Sequence, residues 1–192
     1  MKIVNDKIYI SQGETPTYDV NVYDKKTGIP FMLPSKMKNP IIEFIVRPSV
    51  YNRADDFVLR KYLDFSSHKK FDYIPTVITE IPEVSINDIE NNVKPSTENM
   101  NKLHIYSHNG IKDYYYYENS SWKKYVFNIT FKMDYASTSK MEAKTYKYEV
   151  VLFDATPKYQ DSELIGLEVE DITHKKPLLE ATDFIVGGSL SE

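Results

Sequence analysis

The sequence of 192 residues contains no cysteine and only six glycines, and it carries a net charge of −4. Without cysteine the chain has neither a disulfide framework nor a thiolate metal site. The scattered glycines do not form a phosphate-binding loop, and the mild charge argues against binding to nucleic acid. The apolar runs are too short to cross a bilayer, and the N-terminus lacks the apolar core of a secretion signal. We therefore expect no membrane span and no direct nucleic-acid partner.

The sequence motifs of enzymes and metal sites are missing as well. No nucleophile elbow, Walker loop, dinucleotide-binding glycine pattern or zinc-protease signature occurs in the chain. His104 and His108 have the same parity on one predicted strand, which places them about 13 Å apart, too far for one metal ion to bind both. We therefore predict that the protein is not an enzyme, with no catalytic residue, no cofactor and no metal site.

Aromatic residues are abundant at 14% of the chain, and 16 of them are tyrosines. Tyrosine favours strands and half-buried surfaces, so this composition indicates a β protein. Residues 17–23 and 125–133 alternate between apolar and polar side chains, as strands with one buried face do. Residues 41–47 are apolar on both faces, which predicts a central strand. Further strands are predicted at 57–65 (or a short helix there), 146–154, 163–172 and 183–190.

The best local signal in the chain is a hairpin at residues 103–118. Asn109 and Gly110 suit the two left-handed positions of a type I′ turn between two strands. Four consecutive tyrosines then require that one pair face a core and the other pair face away from it. Core packing, a protein interface and carbohydrate binding are the open alternatives for these aromatic side chains. Our interface candidates are Tyr114, Tyr115, Tyr116, Tyr117 and Trp122.

Strands at this spacing, separated by turn signals, are typical of a β-sandwich. We predict an all-β, immunoglobulin-like sandwich that forms a single domain over residues 1–192. Residues 1–47 and 125–192 build its main sheets, and residues 48–124 are an insertion or extension that includes the hairpin. Within that span, residues 73–84 carry two prolines and are expected to be an edge strand or a loop. The polar residues 85–101 are expected to be a mobile loop.

Charged residues are unevenly distributed along the middle of the chain. Residues 36–70 carry eight lysines and arginines against four acidic residues, whereas residues 71–101 carry one lysine against six acidic residues. Adjacent patches of opposite sign would steer docking with a neighbouring protein, and chance clustering on a solvated face is the alternative. Because open sheet edges also invite pairing, we expect a symmetric homo-oligomer or ring.

Short motifs near both ends of the chain carry a resemblance to a known family. They are the turn Gln12-Gly13-Glu14-Thr15, the strand 18–23 with its turn 24–28, the pattern Tyr-Lys-Tyr-Glu-Val at 146–150, and the strand 184–187. In this pattern the chain resembles the N-terminal domain of phage upper baseplate proteins and related immunoglobulin-like phage structural domains. The segments with these motifs cover roughly a third of the chain, and residues 48–124 depart from the family pattern.

The resemblance implies a structural virion protein of a phage tail, baseplate or neck that binds other virion proteins. It implies synthesis in the host cytoplasm, a location in the virion and release by lysis. It brings no catalytic residues with it. A carbohydrate- or receptor-binding β-sandwich module, with the tyrosines and Trp122 as its platform, is the alternative function.

Overall fold

The structure, a computed structural model, describes residues 2–4, 7–49, 56–168 and 174–188. Strands make up 49% of the chain and helices 7%, so the predicted all-β class is confirmed. The strands form one six-stranded sheet, one three-stranded sheet and two-stranded sheets. In the described ranges, no helix has both the length and the apolar character needed to cross a membrane.

The secondary-structure elements follow one another in a simple linear order. The strands are β1 Lys2–Val4, β2 Lys7–Ser11, β3 Thr17–Asn21, β4 Leu33–Pro34, β5 Pro40–Arg47, β6 Leu59–Asp64, β7 Lys70–Phe71, β8 His104–His108, β9 Ile111–Glu118, β10 Ser121–Lys124, β11 Asn128–Lys132, β12 Thr145–Asp154, β13 Pro157–Gln160, β14 Glu163–Leu167 and β15 His174–Gly187. The helices are a 3₁₀ helix Ile78–Glu80, α1 Ile86–Glu90 and α2 Tyr135–Thr138.

The chain divides into two compact units. The first comprises Met1–Asp19, Lys38–Ser67 and Thr130–Glu192, and the second comprises Val20–Met37 and His68–Ile129. The expected single domain with an insertion over 48–124 stays a prediction. Strand β6, which lies in that span, belongs to the six-stranded sheet.

The six-stranded sheet has the strand order β1-β2-β15-β12-β5-β6. Neighbouring strands are antiparallel except β2 and β15, which run parallel. Strand β5 is buried along its length up to Arg47, as its apolar sequence predicts. The one acidic side chain on β5, Glu43, is buried and pairs with Arg60 on β6 at 3.1 Å.

Aromatic side chains form the core of the first unit. Tyr18 on β3 and Phe131 on β11 lie 5.3 and 5.0 Å, between ring centroids, from Phe44 on β5. Tyr148 on β12 and Phe184 on β15 contact the same Phe44 ring at 5.5 and 6.4 Å. The strands β3 and β11 pair with each other. The apolar face predicted for the strand at 125–133, which contains β11, is confirmed by the burial of Phe127, Ile129, Phe131 and Met133.

The segment 85–101 was expected to be a mobile loop, and that expectation is wrong for helix α1 at Ile86–Glu90. Residues 91–101 have no regular secondary structure. Ser85 caps the helix: its hydroxyl accepts the Asp88 backbone N–H at 3.1 Å, and the Asp88 carboxylate accepts the Ser85 backbone N–H at 3.4 Å. This reciprocal pair is a capping box, which stabilises even a short helix. Segment 73–84 is an irregular stretch around the 3₁₀ helix, with a single parallel bridge from Glu83 to Ile105.

The remaining predicted strands are present with different bounds: β6 and β14 are shorter than predicted, whereas β12 and β15 begin earlier than predicted. Residues 57–65 contain strand β6 and not the alternative helix. Strand β14 ends at Leu167 and β15 ends at Gly187. The rest of the predicted strand 163–172, apart from residue 168, and residues 189–190 of the last strand lie outside the described residues.

Candidate functional site

The predicted hairpin is confirmed and extends to three strands, in the order β10-β9-β8. Asn109 and Gly110 have φ angles of 47° and 77°, the left-handed values that a type I′ turn requires. The next turn, between β9 and β10, uses Asn119 and Ser120 at φ angles of 51° and 60°. Asparagine tolerates this conformation better than most residues, so the second turn also had a sequence signal.

One face of the three-stranded sheet packs into the core of the second unit. Tyr114 is 6% exposed, and Tyr116 is half-buried against Phe71 and Tyr125 at 6.2 and 6.1 Å. The Tyr125 hydroxyl donates a hydrogen bond of 2.8 Å to the Phe31 carbonyl oxygen, and burial raises the pKa of Tyr125. Tyr114 and Tyr116 are therefore core residues of this unit, and two of the five interface candidates do not lie on the outward side.

The strand register brings another set of side chains to the opposite side of the sheet. Tyr117 pairs with Trp122, Tyr115 pairs with both His104 and Lys124, and Asp113 pairs with Tyr106. Directly paired residues point to the same side of a sheet. We call this side the outer face, and its members are His104, Tyr106, His108, Asp113, Tyr115, Tyr117, Trp122 and Lys124.

At one end of the outer face, Trp122 is held by residues that follow helix α1. Its indole N–H donates to the Val93 carbonyl oxygen at 2.9 Å, and its backbone N–H donates to the Asn92 side-chain oxygen at 3.2 Å. The Tyr117 hydroxyl donates to the Asn92 carbonyl oxygen at 3.4 Å. Part of the outward aromatic surface is thus covered by the chain itself. We call His104, Tyr117, Trp122, Asn92 and Val93 the Trp122 cluster.

His104 lies beneath Trp122 and is 3% exposed. The two rings meet edge to face with centroids 4.7 Å apart. The His104 Nδ1 atom lies 3.1 Å from the Lys102 carbonyl oxygen. Because burial disfavours the charged ring, the pKa of His104 is lowered. His104 and His108 share a face as predicted, but each is engaged by a different group.

At the other end of the outer face, ionic groups lie beside aromatic rings. The Asp113 carboxylate bonds Lys124 Nζ at 2.7 Å and His108 Nε2 at 3.3 Å, and these partners lower the pKa of Asp113. The His108 ring stacks on Tyr106 at 4.8 Å with an interplanar angle of 20°. We call Tyr106, His108, Asp113 and Lys124 the Asp113 cluster. Its hydrogen-bonding groups beside exposed ring surface suit polar ligands that carry an apolar face.

The first unit contains a groove that the sequence did not indicate. Its volume is about 350 Å³, and it is lined by Phe57, Arg60, Lys61, Tyr62 and residues 163–165. The Arg60 guanidinium lies 4.1 Å from the centroid of the Phe57 ring. Burial, together with the Glu43 carboxylate, raises the pKa of Tyr62 to about 12. The two lining segments are too far apart in the chain for a local pattern to relate them.

Within the ranges that the structure covers, no group of three or more histidine and acidic side chains is placed to hold a metal ion.

Comparison of the chain with protein-family models, with curated proteins and with solved structures found no match.

Proposed function

We propose that this chain is a structural protein of a phage virion, located in the tail, baseplate or neck, that binds other virion proteins. We further propose that its fold is an immunoglobulin-like β-sandwich and that the protein has no catalytic activity. The virion location carries with it synthesis in the host cytoplasm and release by lysis. The contact surface in this proposal is the outer face, where Tyr115, Tyr117 and Trp122 are the candidates that remain.

The observation that supports the fold part of this proposal is that one residue from each of three family-like motifs lies in the aromatic core of the first unit. Tyr18, Tyr148 and Phe184 come from three of these motifs, and the Tyr148 ring lies 6.3 Å from both of the others. Residues from distant parts of the chain thus share one aromatic core, which the packing of two sheets against each other requires.

The fourth motif, Gln12-Gly13-Glu14-Thr15, also has a structural task in this unit. The Glu14 carboxylate accepts the Ser11 backbone N–H at 2.8 Å, and Gly13 has a left-handed φ of 77°. The Gln12 side chain donates to the Ser139 carbonyl oxygen at 3.1 Å. The motif therefore orders the turn after β2. This is a structural role, as expected for residues that shape the fold.

The composition of the outer face supports the binding part of the proposal. Tyrosine and tryptophan are enriched at the centres of protein interfaces, and charged groups usually lie at the rim. Tyr115 and Tyr117 are half-buried. Tyr117 belongs to the Trp122 cluster, and Tyr115 lies on β9 between Tyr117 and Asp113 of the Asp113 cluster. This arrangement places aromatic surface next to a patch of ionic groups that would fix the orientation of a partner.

The proposal is tested by replacing Tyr115 and Tyr117 together with serine. We expect the variant to fold, because these rings lie outside the core, but to enter virions in reduced copy number. The measurement is quantitative mass spectrometry of purified particles, with circular dichroism as the check on folding. Tyr135→Ser is the matched control, since Tyr135 is 65% exposed and lies in helix α2 of the first unit. Normal copy number for the double variant would reject the outer face as the contact surface, and absence of the wild-type chain from all particles would reject the virion role.

The Asp113 cluster favours a second candidate function, which is binding of carbohydrate. A carboxylate and an amine beside the stacked rings of Tyr106 and His108 match the hydroxyl groups and the apolar face of a sugar ring. A glycan array tests this reading, and Asp113→Asn should abolish any signal because it removes a charged acceptor. Retention of glycan binding by that variant would exclude the Asp113 cluster as the site.

A further inference from the structure

Asn92 and Val93 are attached to the three-stranded sheet through Trp122 and through the Tyr117 hydroxyl. Trp122 donates one hydrogen bond from its ring to Val93 and one from its backbone to Asn92. The same ring covers His104, whose centroid lies 4.7 Å away. A displacement of Trp122 away from the His104 ring would therefore also break its bonds to this segment.

The hydrogen bond to Lys102 determines which nitrogen of the neutral His104 ring carries the proton. A carbonyl oxygen only accepts hydrogen bonds, so the bond to Lys102 requires the proton on Nδ1. The neutral ring then has its unprotonated nitrogen at Nε2. A second proton would place a full positive charge on a ring that is 3% exposed, and such a charge is costly when it is buried without an acidic partner.

The charged groups described on the neighbouring elements do not favour an imidazolium at His104. Lys102 lies two residues before His104 on the chain, and its positive charge repels a positive ring. Lys124 lies on the other side of Tyr115 in the same cross-strand row. The Asp113 carboxylate already bonds Lys124 and His108. Tyr115 on β9 pairs directly with His104, and the Trp122 ring packs against the His104 ring.

We propose that protonation of His104 opens the Trp122 cluster. When the solution is acidified, His104 takes up a proton, Trp122 moves off the ring, and residues 91–94 separate from the outer face. The closed form covers part of the aromatic surface, and the open form exposes Trp122 and Tyr117. This conformational switch goes beyond the proposed function, because it holds for the chain whether or not a virion protein binds there.

The direction of the pH dependence follows from linkage. The pKa of His104 is lowered in the closed form, whereas an exposed ring in the open form has an ordinary value of about 6.5. Above that value neither form binds the proton, and the closed form keeps its full stability. As the pH falls below it, the open form gains the proton first, and the ratio of open to closed molecules rises by up to about tenfold per pH unit.

Trp122 is the only tryptophan in the chain, so its fluorescence reports on this site alone. We expect acidification from about pH 8 to about pH 5 to shift its emission to longer wavelength and to increase its quenching by acrylamide. The far-UV circular dichroism should stay constant over this range. His104→Asn should abolish both changes, because the asparagine amide still donates to the Lys102 carbonyl oxygen but does not titrate.

Two matched variants remove other histidines of the second unit. His108→Asn acts on the same strand and face, and His68→Asn removes a half-buried ring whose pKa is also lowered by burial. Both should keep the wild-type transition. If His104→Asn fails the circular dichroism check, His104→Gln is used in its place.

Several outcomes would overturn the switch. A wild-type emission and acrylamide accessibility that stay constant over the pH range would do so without any variant. A loss of intensity without increased accessibility would mean that the charged ring quenches Trp122 without releasing it. If the fluorescence transition persists in the folded His104 variant, or disappears in either control variant, a group other than His104 takes up the proton.

Discussion

At the scale of single residues, Phe131 occupies the centre of the aromatic core of the first unit. Its ring lies 5.0 Å from Phe44 and 6.0 Å from Tyr18, and it is almost fully buried. We expect Phe131→Ala to lower the free energy of unfolding by about 3–5 kcal/mol, because it removes buried surface and leaves a cavity. Urea denaturation gives the value, with Lys132→Ala on the exposed side of the same strand as the control. A loss below about 1 kcal/mol would mean that the ring is not a core residue.

At the scale of elements, the turn between β8 and β9 depends on the backbone of Gly110. Its φ of 77° disfavours any side chain, although a Cβ atom there would meet nothing within 4 Å. We expect Gly110→Ala to reduce the stability of the protein by about 1 kcal/mol through backbone strain alone. Gly166→Ala is the control, since its Cβ would make an ordinary 3.9 Å contact with Lys158. If the two substitutions lower the stability equally in thermal unfolding, backbone strain at Gly110 is not the cause of the loss.

At the scale of the whole molecule, the proposed working form is a symmetric multimer or ring. Strands β1 and β6 lie at the two edges of the six-stranded sheet, and sheet edges readily pair with another chain. We expect sedimentation velocity to detect species larger than the monomer, with a fraction that increases with protein concentration. The outer face is a further proposed contact surface, so the paired replacement of Tyr115 and Tyr117 by serine should shift this distribution toward the monomer. Purely monomeric sedimentation of the wild-type chain at all concentrations would reject self-association.

The strands were predictable where a short pattern decides the outcome. Residues 41–47 are apolar on both faces, 125–133 alternate, and Asn109 with Gly110 define a turn, so each of these elements follows from local physics. The helix after Ser85 was missed because its capping box is only four residues long and lies in a polar segment. The attachment of residues 91–94 to the sheet could not be predicted from a local pattern, because Trp122, which bonds Asn92 and Val93, follows about thirty residues later.

The candidate site was predicted only in outline. Four consecutive tyrosines must divide between two faces, but the sequence did not say which pair is buried, because the parity of the strand depends on packing against Phe71 and Tyr125. The Asp113 cluster arises from the register of three strands, and that register is fixed by two turns together. The groove next to β6 needs residues 163–165, which no local pattern relates to Phe57.

The strand order also sets how fast different parts of the chain become ordered. In the three-stranded sheet each strand joins the next through a turn of two residues, and hairpins of this kind form within about 1–10 microseconds. In the six-stranded sheet, Arg47 and Glu149 on adjacent strands are 102 residues apart in sequence, and Phe184 pairs with Ile8. Such distant pairings carry a large loop-closure entropy and place folding on the scale of milliseconds to seconds. We therefore expect the tyrosine-rich hairpin to form first. Its aromatic side chains are then exposed to water until the large sheet is complete.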